Sequence, residues 1–360
     1  MTHDIAIVGA GIAGATLAAA IGTRARVLLL EGEDTPGYHA TGRSAAFWSE
    51  TYGGAGIQPL TTASEAPLRD GGYLDPLGAL HVGRAGADER AAAALLAEFA
   101  GTPVVLEAVD PAARVAGLRD GWTLGVWEPS CAYIDVGQLH ADALAQARRA
   151  GAQLVTGAQL AAAERRDGAW QLAMRDGRTF SAATLVDAAG AWADAVAAIV
   201  GARPLGIRPY RRTMVQLATD PAAPAGMPFV NHLGGDFYFK PEAGGKLWLS
   251  PHDEHPVEPH DVAAEEIDVA IAIDRFEGAV DWRVTRVERR WAGLRSFAPD
   301  RLPVYGADPR LPGFFWFAGQ GGFGIQTAPA AAAIGAALLL GQGAMPPGVD
   351  ADRYAPVRFG

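Results

Sequence analysis

The sequence predicts an α/β and α+β fold, in which a domain built on a parallel sheet is interleaved with a second domain built on a mixed β-sheet. Three observations predict it. Residues 4–31 read as strand, glycine turn, helix and strand; from residue 153 the pattern changes to period-two alternation broken by Asp-Gly turns; and residues 314–340 return to a strand, a glycine-rich loop and a long apolar helix. The two ends share one chemistry and the middle has another, so the domains interleave.

The first element is the most informative. Asp4-Ile5-Ala6-Ile7-Val8 runs into Gly9-Ala10-Gly11-Ile12-Ala13-Gly14 and a helix of small residues over 15–21, and a second apolar run, Val27 to Leu30, ends on Glu31. This is the G-x-G-x-x-G dinucleotide fingerprint of a Rossmann-type domain, with a strand before it, a helix after it and an acid closing the next strand. Gly9 permits the tight turn, Gly11 lets the backbone approach a pyrophosphate, and Gly14 lets helix and strand pack. The pyrophosphate rests on the free N–H groups around Ile12 and Ala13 at the positive end of the helix. Glu31 is placed to accept both ribose hydroxyls and would repel a 2′-phosphate, so the adenosine carrier is NAD or FAD rather than NADP.

A turn-rich loop over 34–42 follows, and then Arg43-Ser44-Ala45-Ala46-Phe47-Trp48. Ser44 is read as the cap of a following helix and Arg43 as a cation able to reach a phosphate, against the alternative of a solvated surface residue. Residues 87–99 and 137–149 read as helices. Residues 153–187 read as a strand meander with turns at Asp167-Gly168 and Asp176-Gly177. Its last strand ends in Val186-Asp187-Ala188-Ala189-Gly190-Ala191-Trp192, where small residues at a strand-to-helix junction leave room for a bulky group against the backbone. Strands over 206–219, 236–240 and 246–250 carry Arg211, Arg212, Tyr238 and Lys240 in apolar surroundings; a helix near 263–275 and a strand near 282–290 complete a sheet that covers a ligand. The domain expectation is 1–75, 135–205 and 290–360 for nucleotide binding, and 76–134 and 206–289 for substrate.

Phe314 to Ala318 leads into Gly319-Gln320-Gly321-Gly322-Phe323-Gly324-Ile325-Gln326-Thr327. No acid closes a later strand, which disfavours a second dinucleotide site for NAD. The better reading is a loop whose N–H groups and helix N-terminus face one end of a flat ring, where they would stabilise the negative charge of a reduced flavin.

Together these motifs resemble the D-amino-acid oxidase superfamily of FAD enzymes, and within it the bacterial D-arginine dehydrogenases. The likeness is carried by the fingerprint, His39-Ala40-Thr41-Gly42-Arg43-Ser44-Ala45-Ala46, the 186–192 segment, Trp291-Ala292-Gly293-Leu294-Arg295-Ser296 and the terminal glycine loop. It implies non-covalent FAD in a two-domain fold, contacted by Arg43, Ser44, Ala45, Ala46, Gly190, Trp192, Gly293, Gly321, Gly322, Gly324, Ile325, Gln326 and Thr327. It also implies oxidation of an amine-bearing carbon by hydride transfer to flavin N5, giving an imino acid that hydrolyses to a 2-oxo acid and ammonia. Arg212 and Arg295 would hold the substrate carboxylate, Tyr238 would donate a hydroxyl beside it, and Tyr52 would lie on a loop closing over the site. A planar, permanently charged partner suits a carboxylate, and an arginine in an apolar setting is costly when unpaired; structural ion pairs are the competing reading. Arg211 should face the other side of its strand. Two departures bear on the substrate: Phe47 stands where D-arginine dehydrogenases have a histidine, and no acid stands near Gly78-Ala79-Leu80 to receive a guanidinium. The expectation is a neutral or apolar D-amino acid, with glycine or sarcosine oxidation, or flavin binding without turnover, as rivals.

Composition narrows the rest. Hydrophobic residues at 49% against 19% charged suit a buried core and exclude disorder, and a net charge of −10 argues against nucleic-acid or anionic-membrane surfaces. With one cysteine, Cys131, no intrachain disulfide can form; together with a first strand that starts at once, this gives a cytoplasmic expectation without a signal peptide or membrane span. Cys131 reads as a packed thiol rather than a flavin tether. Pro251-His252-Asp253-Glu254-His255 with His260 gathers metal-ligating types, but three prolines interrupt it and it reads as a polar surface loop, with no metal expected. The electron acceptor is not legible.

Overall fold

The computed structural model describes residues 3–360. Its first sheet has eight strands. His3–Val8 pairs in parallel with Val27–Leu30 on one side and with Thr179–Asp187 on the other; Gln153–Val155 continues the sheet beyond Val27–Leu30, and Phe314–Ala318 continues it beyond Asp187. These parallel strands end on one common edge, where a ligand crevice forms. Every residue of Val27–Leu30 and of Phe314–Ala318 is buried, as strands covered on both faces must be. Helix Ile12–Ile21 packs against Val136–Arg149 and Ala328–Leu340. Gly335 makes the second contact possible, since a Cβ there would stand 2.9 Å from Leu17 and 2.8 Å from Phe317.

Two expectations are corrected here. The meander has three strands, Leu160–Arg166, Ala169–Met174 and Thr179–Asp187; Gln153–Val155 instead pairs in parallel with Val27–Leu30, because its Leu154 and Val155 continue the buried layer there. No helix follows Ser44. Its hydroxyl accepts from Ala46 N–H at 3.0 Å, Ala46 takes φ +41°, and Phe47–Trp48 then forms a short strand against Tyr133 and Ala132. A left-handed residue at that point stops helix growth.

The second sheet is mixed. Arg208–Asp220 and Arg283–Phe297 form a long antiparallel pair, followed in order by Lys246–Ser250, Tyr238–Glu242, Phe229–His232, Ala79–Gly83 and Leu124–Glu128. One face is apolar: Val215, Leu217, Leu249, Phe239, Val230 and Leu80 are buried towards helix Glu266–Ala279. By register the opposite face carries Arg295, Arg212, Tyr238, Asn231, His81 and Glu128, one after another across the strands. Gln320–Gly321 pairs with Ser296 and Phe297, which joins the terminal glycine loop to this sheet. Among the described residues no helix is long and apolar enough to cross a membrane.

Candidate active site

A cleft of about 530 Å³ runs along the strand ends of the parallel sheet to the face of the mixed sheet. At its first end Gly9 has φ +101°, and a Cβ there would strike the Ala188 carbonyl oxygen; a Cβ on Gly14 would strike the Gly9 carbonyl oxygen. Gly11, Ile12 and Ala13 line the cleft; the Ile12 N–H, expected to be free, donates to the Thr41 hydroxyl at 3.0 Å, because the loop after Glu31 folds back over the helix start. Glu31 is clamped at the rim, accepting from Ala10 N–H at 2.9 Å and from Glu33 N–H at 3.0 Å. The backbone thus fixes the carboxylate that the ribose would meet.

Ser44, Ala45, Gly190, Trp192, Gly293, Gly321, Gly322, Gly324 and Ile325 line the rest of the cleft. Arg43 lines it too, but its guanidinium donates to the Val262 carbonyl at 2.9 Å and to Asp261 at 2.5 Å. Ala46, Gln326 and Thr327 stand behind the lining. Gln326 ties the terminal loop to the Tyr52 turn, donating to the Tyr52 carbonyl at 3.0 Å and the Thr61 hydroxyl at 2.8 Å, while Thr327 donates to the Phe323 carbonyl at 2.9 Å.

At the other end the mixed sheet contributes the charges. Arg211 points away and pairs with Glu265 and, at 2.6 Å, with Asp268. Arg212 donates from Nε to the Asp253 carbonyl at 2.7 Å and from Nη2 to Glu254 at 3.2 Å; Arg295 donates to the Tyr238 hydroxyl at 3.4 Å, which itself points to the Met214 sulfur at 3.2 Å. Both arginines keep a buried Nη1 with no partner. Burial, and then the charge of Arg295, hold the Arg212 guanidinium below its ordinary pKa. Burial would lower Arg295 too, but Tyr52, Tyr238 and Asp253 act the other way and raise its pKa; Arg212 has Glu254 as an ion-pair partner, and among the described residues Arg295 has no carboxylate at that distance. Burial would raise the Tyr238 phenol, but Arg295 and Arg212 outweigh it and pull its pKa below the ordinary value. Tyr52 lies beside Gly322, with its ring 5.1 Å from those of Phe47 and Phe323.

Behind this seam lies a second cavity of about 140 Å³, walled by Phe47, Phe229 and Leu95 and edged by His81, Asn231 and His252. Sequence reasoning missed these polar residues. His252 belongs to the segment read as a surface loop, yet it is half-buried and lines this cavity. Burial first, and then Arg212 and Arg295, push its imidazole down to about 3. Its neighbour Asp253 accepts from the Thr213 N–H at 2.7 Å and the Thr213 hydroxyl at 2.9 Å. Asp253, His255 and Asp268 do approach one another, but Arg211 and Arg212 neutralise the cluster. Glu128 was missed as well: it sits opposite Ala79 on the next strand. Its oxygens accept from Glu50 N–H at 2.7 Å, Thr51 at 2.7 Å, Ser49 at 3.0 Å and His81 at 3.2 Å, so it has no free position for a substrate cation. Cys131 is fully buried, and burial with Glu128 pushes its thiol well up, which fits a packed, unreactive group.

The glycine turn, the helix N-terminus at the cleft, the clamped Glu31 and the long cleft are what a flavin dinucleotide needs. The sequence profile of the family described as FAD-dependent oxidoreductase (DAO) matches residues 4–338. The chain belongs to this family of FAD-dependent oxidoreductases. The fold of the oxidoreductase is shared with glycine oxidase from Geobacillus kaustophilus, at 22% identity and TM-score 0.84 over 98% of each chain. It is shared with L-proline dehydrogenase from P. horikoshii, at 19% identity and TM-score 0.86 over 99% of this chain and 98% of that one. FAD-bound L-α-glycerophosphate oxidase from Mycoplasma pneumoniae has it too, at 14% identity and TM-score 0.85 over 99% of each chain. At such identities the likeness is one of fold. The substrate of this flavoenzyme must be argued from its own residues.

Proposed function

We propose that the protein oxidises D-amino acids with neutral or apolar side chains to imino acids, which water hydrolyses to 2-oxo acids and ammonia. The observation that carries this reading is the Arg212 and Arg295 pair at the inner end of the FAD cleft, with a buried, unpartnered Nη1 on each. A substrate carboxylate supplies the missing acceptors, and the Tyr238 hydroxyl adds a third donor. The two guanidinium charges also disfavour the ammonium form of the substrate amine, so the reactive neutral amine is available without a dedicated base. Bound FAD would supply the two-electron acceptor for the α-hydrogen. Arg212, Arg295 and Tyr238 fix the carboxylate so that the α-carbon faces the flavin, and Tyr52 covers the site against water.

The D configuration rests on the sequence resemblance. The neutral side chain rests on the second cavity, whose described lining contains no aspartate or glutamate. Steady-state rates with a panel of D- and L-amino acids, glycine and sarcosine test both. D-leucine, D-methionine or D-phenylalanine should exceed D-arginine and D-lysine. Faster turnover of the cationic pair, of the L-enantiomers or of sarcosine would overturn the reading.

A further inference from the structure

We propose that Asn231 is a specificity-determining residue of the second cavity and that it selects a D-amino acid whose short side chain ends in a primary carboxamide, with D-glutamine as the fitting case. This deepens the proposed function and rests on it.

The argument begins with the register. Asn231 lies directly opposite Tyr238 on one side and opposite His81 on the other, so the three side chains leave one sheet face in a row. Tyr238 marks the carboxylate end through its contact with Arg295. Neighbouring strands stand about 4.8 Å apart, so a side chain running along this row meets Asn231 after one strand spacing and His81 after two. The former is the reach of a glutamine side chain; a lysine or arginine would run on to His81.

Volume sets the same limit. The cavity is about 140 Å³, close to the ~150 Å³ that accommodates a benzene-sized group. It therefore accepts a carboxamide-tipped chain of five non-hydrogen atoms.

The chemistry of the rim then chooses the terminus. Asn231 Nδ2 is 3.4 Å from His81 Nδ1, and His81 Nε2 is 3.2 Å from Glu128. An amide nitrogen only donates, so His81 accepts at Nδ1 and donates from Nε2 to the buried carboxylate. This relay fixes the rotamer of Asn231 and leaves its carbonyl oxygen and its second N–H for a ligand. One acceptor beside one donor is the complement of a primary amide. A cationic terminus finds no free carboxylate, because Glu128 is saturated, and an anionic terminus would approach Glu128 itself. Asn231 reads the substrate; Glu128 and His81 are positioning residues.

The test uses the FAD-loaded enzyme with D-glutamine, D-leucine and D-ornithine. The wild type should favour D-glutamine over D-leucine in kcat/KM. Asn231→Leu should lower that ratio about tenfold, the scale of one lost hydrogen bond. Asn231→Asp should raise D-ornithine relative to D-glutamine, a gain that a merely structural role would not produce. Unchanged ratios in both variants would overturn the inference. In parallel, 5-amino-5-oxopentanoate and 4-methylpentanoate are titrated as unreactive probes, with the shift in flavin absorbance reporting binding. Wild type should bind the amide acid more tightly and Asn231→Leu the branched acid; equal ratios would overturn the inference. If no D-amino acid is oxidised while these affinities do exchange, the proposed reaction fails and the cavity assignment stands.

Discussion

Arg212 and Arg295 lie diagonal to each other on one ladder, Arg212 opposite Gly293 and Arg295 opposite Tyr210, so their guanidiniums leave the same face of the sheet two residues apart. Gly293 between them adds no side chain, and the space above it belongs to the cleft. A strand pair thus sets two permanent cations side by side, held apart from solvent, with one unpartnered Nη1 each. Glu254 pairs with Arg212 at 3.2 Å, which leaves Arg295 as the cation with room for a further anion.

The first prediction follows directly. Arg295→Met should lower kcat/KM for the amino acid by about 10²-fold or more, mainly through KM, since a buried charge partner is lost. FAD content measured by absorbance should stay at one per chain. A variant with wild-type KM would remove Arg295 from the carboxylate site.

Gly322 is a tight point of the terminal loop that faces the substrate end. A Cβ there would strike the Tyr52 hydroxyl and come within 2.8 Å of Arg295 Nε. Gly322→Ala should therefore raise KM several-fold by displacing both substrate-facing groups, with little loss of thermal stability. Stopped-flow reduction across substrate concentrations checks it.

His252 predicts a pH dependence of stability. Its folded pKa of about 3 lies below the ordinary histidine value of 6.5, so as pH falls from 6.5 the unfolded chain binds a proton that the folded chain refuses. Stability is unaffected above pH 6.5 and is lost towards pH 3, at about 1.4 kcal/mol per pH unit in that window. His252→Gln should remove one proton from the slope of unfolding free energy against pH, as measured by urea denaturation at a series of pH values.

Asp187 carries the opposite sign. It is fully buried, accepts from Ala189 N–H at 3.0 Å and leaves Oδ2 without a partner; burial pushes its carboxyl well up. Its contribution is full below the ordinary aspartate pKa and falls as pH rises. Asp187→Asn keeps the acceptor and removes the titration, so it should abolish this fall of stability with rising pH, as measured by urea denaturation at a series of pH values. A destabilised variant would point to an ionised role for Asp187.

Much of this was legible in the sequence, because residue type and spacing carried it. The Gly9-to-Gly14 turn with Glu31, the small residues at 188–192 and the terminal glycines each encode a backbone approach that side chains would block. Arg212 and Arg295 were legible because arginine in an apolar strand demands a partner. Asn231, His81 and Glu128 were not, since they meet only through strand pairings such as Phe229–His232 against Ala79–Gly83, and no local period announces a parallel pairing between segments so far apart. His252 was misread because prolines and acids around it look like a surface loop, whereas strand Lys246–Ser250 carries it inward beside the arginine pair. The expected helix after Ser44 failed at Ala46, whose left-handed backbone nothing in the sequence announced.

The central claim is that the arginine pair holds an amino acid carboxylate against bound FAD. Anaerobic titration of the purified flavoprotein with D-leucine, D-glutamine, their L-enantiomers, glycine and sarcosine, following the flavin absorbance band, tests it most directly. Bleaching by the neutral D-amino acids, lost in Arg295→Met and reversed or retained on admitting air according to the electron acceptor, is the result this account predicts. An FAD-loaded, folded protein that none of these D-amino acids bleaches would contradict it.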